Sequence, residues 1–167
     1  MKKLLIIAAL VLTTAVAAIA QPRAIGGRLG WGAEVSYQHN VGNNFIEVDV
    51  GLPGWGALGL GATAIYDFVI AQPQWTPGTW TFYAGPGAEV GMGFGNGWTT
   101  STIAVAGQVG LSYRFEFPLE LSVDLRPSLG VGISSTRNDD GTPTTPRVIF
   151  VGNYLGFVPC IGVRYAF

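Results

Sequence analysis

Residues 119–134 read LELSVDLRPSLGVGIS, in which every odd position is apolar and every even position is charged or small. A repeat of two residues occurs only in an extended strand, so this run predicts a strand with two unlike faces. An ordinary half-buried strand turns its apolar face to the core and its polar face to water. The alternation alone does not say which face meets the bulk solvent. That choice falls to the rest of the chain.

The same alternation recurs along the chain, and no segment carries a helical period. Turn signals stand between the runs: Gly30-Trp31-Gly32, Asn40 to Asn43, Pro53 to Gly56, Gln72 to Gly78, Gly95 to Gly97, Glu116-Phe117-Pro118, and the Asp-, Thr-, Pro- and Gly-rich stretch 135–147. Cutting there predicts eight strands, at 24–30, 33–39, 44–52, 57–70, 79–93, 101–115, 119–134 and 148–167. Residues 30–32 read either as a turn or as a bulge in one long strand. A closed antiparallel barrel in an outer membrane keeps both termini on the periplasmic side and needs an even strand count, which favours the turn. Pro86, Pro127 and Pro159 fall inside predicted strands, where each removes a ladder hydrogen bond. Bulges or water-accessible depths are expected there.

The distribution of charge is the deciding pattern. Charged residues make up only 11% of the chain, against about 25% in an average soluble domain. Arg28, Glu34, Glu47, Asp49, Asp67, Glu89, Arg114, Glu116, Glu120, Asp124, Arg126 and Arg164 all fall on the polar faces of the predicted strands. The apolar faces carry none. On a water-facing flank an occasional Lys or Glu costs little. In lipid an Arg or Lys at mid-depth costs about 2–4 kcal/mol. A charge-free face on every strand therefore favours hydrocarbon outside. The aromatics agree: Tyr37, Tyr66, Phe68, Trp80, Tyr113, Phe115, Tyr165 and Phe167 fall near predicted periplasmic strand ends, and Trp31, Trp55, Phe94 and Trp98 near the outer ends. Two such girdles are a feature of membrane barrels.

The N-terminus supplies an export route. Met1-Lys2-Lys3 is a basic start, Leu4 to Val11 is apolar, and Ala18-Ile19-Ala20 is a small-x-small site before Gln21. This predicts a secretory signal peptide over residues 1–20, followed by a barrel domain over 21–167. The mature chain has seven arginines against ten acids, so no basic field invites nucleic acid. One Cys, Cys160, allows no internal disulfide, and one His, His39, allows no two-histidine metal site. No cofactor is expected.

With these features the sequence resembles the small outer-membrane β-barrel proteins of Gram-negative bacteria. In size and pattern it is similar to the eight-stranded outer membrane protein A and X types. The ending Gly162-Val163-Arg164-Tyr165-Ala166-Phe167 resembles the C-terminal signal read by the barrel-assembly machinery, with Val163, Tyr165 and the final Phe167 as its alternating residues. The resemblance implies an up-and-down, eight-stranded antiparallel transmembrane β-barrel. It further implies Sec-type export to the outer membrane, a lipid environment, the assembly machinery as a partner during biogenesis, and a monomer.

Eight strands leave an interior just wide enough for side chains to fill. The polar faces are therefore expected to meet one another. Arg28, Arg114, Arg126 and Arg164 pair there with Glu34, Glu47, Asp49, Asp67, Glu89, Glu120 and Asp124 in a structural network that largely plugs the lumen. Glu120, Asp124 and Arg126 of the opening stretch point inward, with Arg114 on the preceding strand as a counter-charge. Such a barrel is non-enzymatic and serves envelope structure or surface interaction. Its surface element is the 135–147 loop with Arg137, Asp139 and Asp140, a candidate contact for an extracellular partner. A narrow gated pore is the alternative. A lipid-modifying enzyme is a further one, resting on His39 with Ser36 nearby in sequence. A soluble lipocalin-like barrel would need charged outer faces, which the pattern lacks.

Overall fold

In the computed structural model the described residues are 22–30, 32–52, 58–95, 97–136, 144–153 and 157–167. The predicted signal peptide, Trp31, Trp55 and the loop residues Arg137, Asp139 and Asp140 lie outside them. Ten strands follow one another: β1 (Pro22–Leu29), β2 (Ala33–Val41), β3 (Asn44–Leu52), β4 (Leu58–Ala71), β5 (Thr79–Gly95), β6 (Trp98–Arg114), β7 (Glu120–Leu125), β8 (Ser128–Thr136), β9 (Arg147–Asn153) and β10 (Cys160–Ala166). All pair antiparallel, in the order β5-β4-β3-β2-β1-β10-β7-β6-β8-β9, and β5 also pairs with β6. That last pairing closes the sheet into a barrel.

Ten ladder segments make eight barrel strands because two of the strands are broken. β7 and β8 both pair with β6, so together they form the seventh strand. β10 pairs with β7 and β1, and β9 with β8, so those two share the eighth position. The predicted continuous strands 119–134 and 148–167 are thus each split. Proline explains the first break: Pro127 has no N–H to give, and the ladder lapses at Arg126 and Pro127. Its carbonyl still accepts from the Gly107 N–H at 3.0 Å. No residue is gained or lost in phase, so Asp124 and Arg126 before the proline and Gly132 beyond it all point inward and are buried. Pro159 sits just outside β10. Pro86 stays inside β5, but the ladder to β4 lapses between the pairs Ile65↔Gly87 and Phe68↔Ala84.

The chain turns between β1 and β2 rather than running on as one bulged strand. Leu29 pairs with Ala33, and the Gly30 N–H donates to the Gly32 carbonyl at 3.0 Å. The predicted turns at 72–78 and 116–118 also stand between strands. β5 and β6 run longer than expected at their far ends, closing at Gly97 with φ of 76°. Pro22 and Phe167 lie at one end of the barrel with the 72–78 and 115–119 turns, called here the near end.

Polarity is reversed relative to a water-soluble domain. The largest fully buried side chains include Arg164, Gln38, Glu47, Glu120, Asp49, Asp67 and Asp124, beside Tyr83, Phe45 and Ile65. Ile103, Val105, Leu129, Ile161 and Val163 stand exposed on the outer face. In β10 the alternation is complete: Cys160, Gly162, Arg164 and Ala166 are buried, and the residues between them are exposed.

Closure brings β1 and β10 together closely. A Cβ on Gly26 would stand 2.1 Å from the Val163 carbonyl oxygen, whereas one on Gly27, facing the other way, would meet its nearest neighbour at 3.8 Å. Gly26→Ala is therefore expected to destabilise the barrel by about 1–3 kcal/mol through forced backbone shifts, and Gly27→Ala to stay within about 0.5 kcal/mol. Urea unfolding of both variants, followed by the mobility difference between folded and boiled protein on gels, checks this contrast.

Candidate functional site

The near half of the bore holds two connected clusters of charge. In the first, Arg28 on β1 donates from Nε to Asp124 Oδ1 at 2.9 Å and from a terminal nitrogen to Glu34 Oε2 at 2.8 Å. Arg126, just past β7, bonds both Glu34 and Asp49. In the second, Arg164 on β10 donates to Ser36 Oγ at 2.9 Å, Ser122 Oγ at 2.7 Å and Glu47 Oε1 at 2.9 Å, with Glu120 at 3.9 Å. Glu47 also accepts from Gln38 at 2.6 Å and Gln108 at 3.4 Å. Arg23 reaches Glu120 at 3.2 Å and lies 3.9 Å over the Phe45 ring.

These contacts cross the bore. Arg23 and Arg28 stand on β1, Arg126 beside β7 and Arg164 on β10, three neighbouring positions of the wall. Glu34, Glu47, Asp49 and Asp67 stand on β2 to β4. Arg126–Asp49 and Arg164–Glu47 therefore tie one side of the barrel to another. A guanidinium suits this task because its planar fork donates in several directions at once. Taking such charges out of water is expensive, and the loss is offset only when every partner is present.

The structure joins eight of the sequence-predicted residues: Arg28, Glu34, Glu47, Asp49, Glu120, Asp124, Arg126 and Arg164. Three stand apart. Asp67 is fully buried, and neither carboxylate oxygen has a hydrogen-bond partner among the described residues. Glu89 is only half-buried, farther along β5, and forms no ion pair among the described residues. Arg114 does not serve as the counter-charge of Glu120. It donates instead to the Phe167 carbonyl and, at 3.3 Å, to the Arg23 carbonyl. Glu116 leaves the polar face altogether and is exposed in the turn after β6.

The alternation predicts no place for Arg23 in the network, because the predicted first strand begins at residue 24. β1 begins at Pro22, and the register shifts between Pro22 and Ala24. That bulge leaves Arg23 and Ala24 both buried. A period-two pattern carries no signal for it. The neutral partners Ser36, Gln38, Gln108 and Ser122 did carry one, since they share parity with the charges. Trp98 also departs from expectation. Its indole lies across the inner face at Gly95 and Gly93, where added Cβ atoms would meet it at 1.9 and 3.1 Å, so it does not belong to an outward girdle.

The near end is densely aromatic. Trp75 of the long 72–78 turn folds back onto Trp80 and Phe82, both at 5.7 Å, and the row continues through Tyr113, Phe115 and Phe117. Val163, Tyr165 and Phe167 all point outward and are exposed, with the last two rings 5.3 Å apart. His39 is on the outer face beside Tyr37, while Ser36 is turned inward to Arg164, so those two side chains do not meet. Among the described residues no group of three or more His, Cys, Asp or Glu side chains is placed to hold a metal ion. No family model matches the chain, and neither the curated proteins nor the solved structures compared with it gave a match.

Arg164→Ala leaves Glu47 buried and without its cation, and is expected to cost about 3–5 kcal/mol. Combining it with Glu47→Leu is expected to recover much of that loss, since no charge then remains stranded. Glu89→Ala is expected to change stability by less than about 0.5 kcal/mol. Urea unfolding in lipid vesicles measures all three.

Proposed function

We propose that the chain is an integral outer-membrane β-barrel of a Gram-negative bacterium, akin to the outer membrane protein A and X types. It works without catalysis, as an element of envelope structure or surface interaction. Residues 1–20 serve as a Sec-type signal peptide. Val163, Tyr165 and Phe167 are read by the barrel-assembly machinery. The observation that carries this assignment is the reversed polarity of a closed barrel: charges inside, a charge-free apolar outside. In water the exposed Ile103, Val105, Leu129 and Val131 would form a contiguous patch of the kind that drives association. In hydrocarbon that surface is solvated, and the β1–β10 and β5–β6 pairings satisfy the backbone around the ring everywhere but along the outer edge of β9.

The crossing ion pairs support a bore that is largely plugged rather than open. The β8–β9 hairpin supports the surface role. β9 pairs with β8, and no other described strand pairs with it, so its second edge is available to an extended segment of an extracellular partner.

Two measurements test this. The protein is expected in the outer-membrane fraction, running at different gel positions before and after boiling; a soluble, heat-insensitive product would sink the assignment. In planar bilayers the native barrel is expected to pass almost no current. Arg126→Ala, which removes two cross-bore pairs, is expected to give measurable conductance steps. Steady large conductance from the native protein would favour the gated-pore alternative.

A further inference from the structure

The apolar outer wall of the barrel has two heights. On β6 the outward side chains are free of charge from Tyr113 to Ile103, and on β7–β8 from Leu121 to Ile133. Ten residues at about 3.3 Å each, tilted by about 40°, give about 25 Å of height, the belt expected of an outer-membrane barrel. β4 from Leu58 to Ile70 and β5 from Trp80 to Phe94 are at least as tall. On β1 the outward stripe among the described residues runs from Ile25 to Leu29, where Leu29 pairs with Ala33 across the turn to β2. On β2 it comprises Ala33, Val35 and Tyr37 and is interrupted by His39. On β3 it runs from Ile46 to Leu52, where the described strand ends. Four to six residues give about 10–15 Å by the same geometry. In the closed ring β1 to β3 stand opposite β5 to β8. Tilting the barrel would raise one wall against the other but would change neither height.

A second observation points the same way. The outer edge of β9 has no strand partner among the described residues, and it continues past the level at which β1 stops. The register sets Gly152 beside Leu129, and Leu129 beside Val105, within the apolar span of the tall wall. Unpaired backbone groups are not tolerated in hydrocarbon. If the bilayer kept full thickness beside β1, the near part of this edge would be immersed in it.

Resting on the outer-membrane assignment, we infer that β1 to β3 form a lipid-facing surface that holds the bilayer thinned on one side of the barrel. The outer leaflet is drawn down to the level of the 30–32 turn. The partner of this surface is the phospholipid itself. The adjoining β9 edge then lies in water or headgroups, where its backbone groups are satisfied.

Depth measurements by spin label separate the outcomes. Single cysteines are placed in a Cys160→Ser background at Leu29 on the short wall and at Val109 on the tall wall, each four residues from its near-end reference, Ile25 or Tyr113. Leu52, which ends the described β3 stripe and is joined in register to Leu29 through Ala33, is the second short-wall site should Leu29 fail to fold. The labelled barrels are reconstituted in dioleoylphosphatidylcholine vesicles and checked for a heat-modifiable fold. Val109 is expected to read mid-hydrocarbon, shielded from a water-soluble nickel relaxant. Leu29 and Leu52 are expected to be several-fold more accessible to it. Equal, deep readings at Leu29, Leu52 and Val109 would overturn the thinning and leave the membrane assignment standing. A water-exposed label at Val109 would overturn the membrane assignment itself.

Discussion

Everything in this barrel depends on arginine having carboxylates to meet across the bore. An eight-stranded ring has too narrow an interior for bulk water and too many inward positions to leave unfilled. Filling it with apolar groups would remove the difference between the two faces of each strand, and a slip of one residue would then cost little. Filling it with Arg28, Arg126, Arg164 and their acids makes register decisive, because the same slip would carry each charge outward. The network therefore selects the alignment of the strands as well as occupying the space between them.

Period-two alternation makes the strands and their faces legible, because the alternation of faces is a property of the backbone and survives local damage; the even strand count rests instead on placing both termini at one end of a closed barrel. Pro127 shows how well it survives. The ladder breaks there, yet Arg126 and Gly132 keep the inward phase of Asp124. The break itself was legible only as an anomaly. Which ladder bonds Pro86 and Pro127 forfeit depends on the neighbouring strands, and sequence distance does not reveal neighbours that closure brings together.

The members of the site were legible by parity, but their partners were not. Arg114 lies directly across from Glu120 in the register, yet its guanidinium bonds the chain end at Phe167, and Glu120 is met by Arg23 and Arg164. Partner choice is a matter of height and of lateral reach across the bore, neither of which a strand pattern contains. Arg23 was hidden by a bulge, which adds a residue and so breaks the very periodicity that would announce it. Trp98 departs from the predicted girdle for the opposite reason. Its distance from the near end suggested a girdle, while its even parity, shared with Thr100 and Thr102, already set it on the inner face.

The two ends of the bore are built on different terms. Near-end inward positions carry the arginines, their acids, Phe45 and Tyr83. Beyond the Arg28–Glu34–Arg126 cluster most inward positions become small, with Gly87, Gly91 and Gly93 on β5, Thr102, Ala104 and Ala106 on β6, and Gly130 and Gly132 on β8, and the Trp98 indole lies across the glycines at the far end of β5. Glu89 sits among them without a counter-charge among the described residues, which it tolerates because it is only half-buried and keeps part of its hydration. Asp67 has no such relief, being fully enclosed beside the aromatic pair of Phe45 and Tyr83. The near half is thus bridged by charge pairs across the bore. The far half is lined mainly by small side chains, so charge pairing and small-residue packing occupy separate lengths of the same strands.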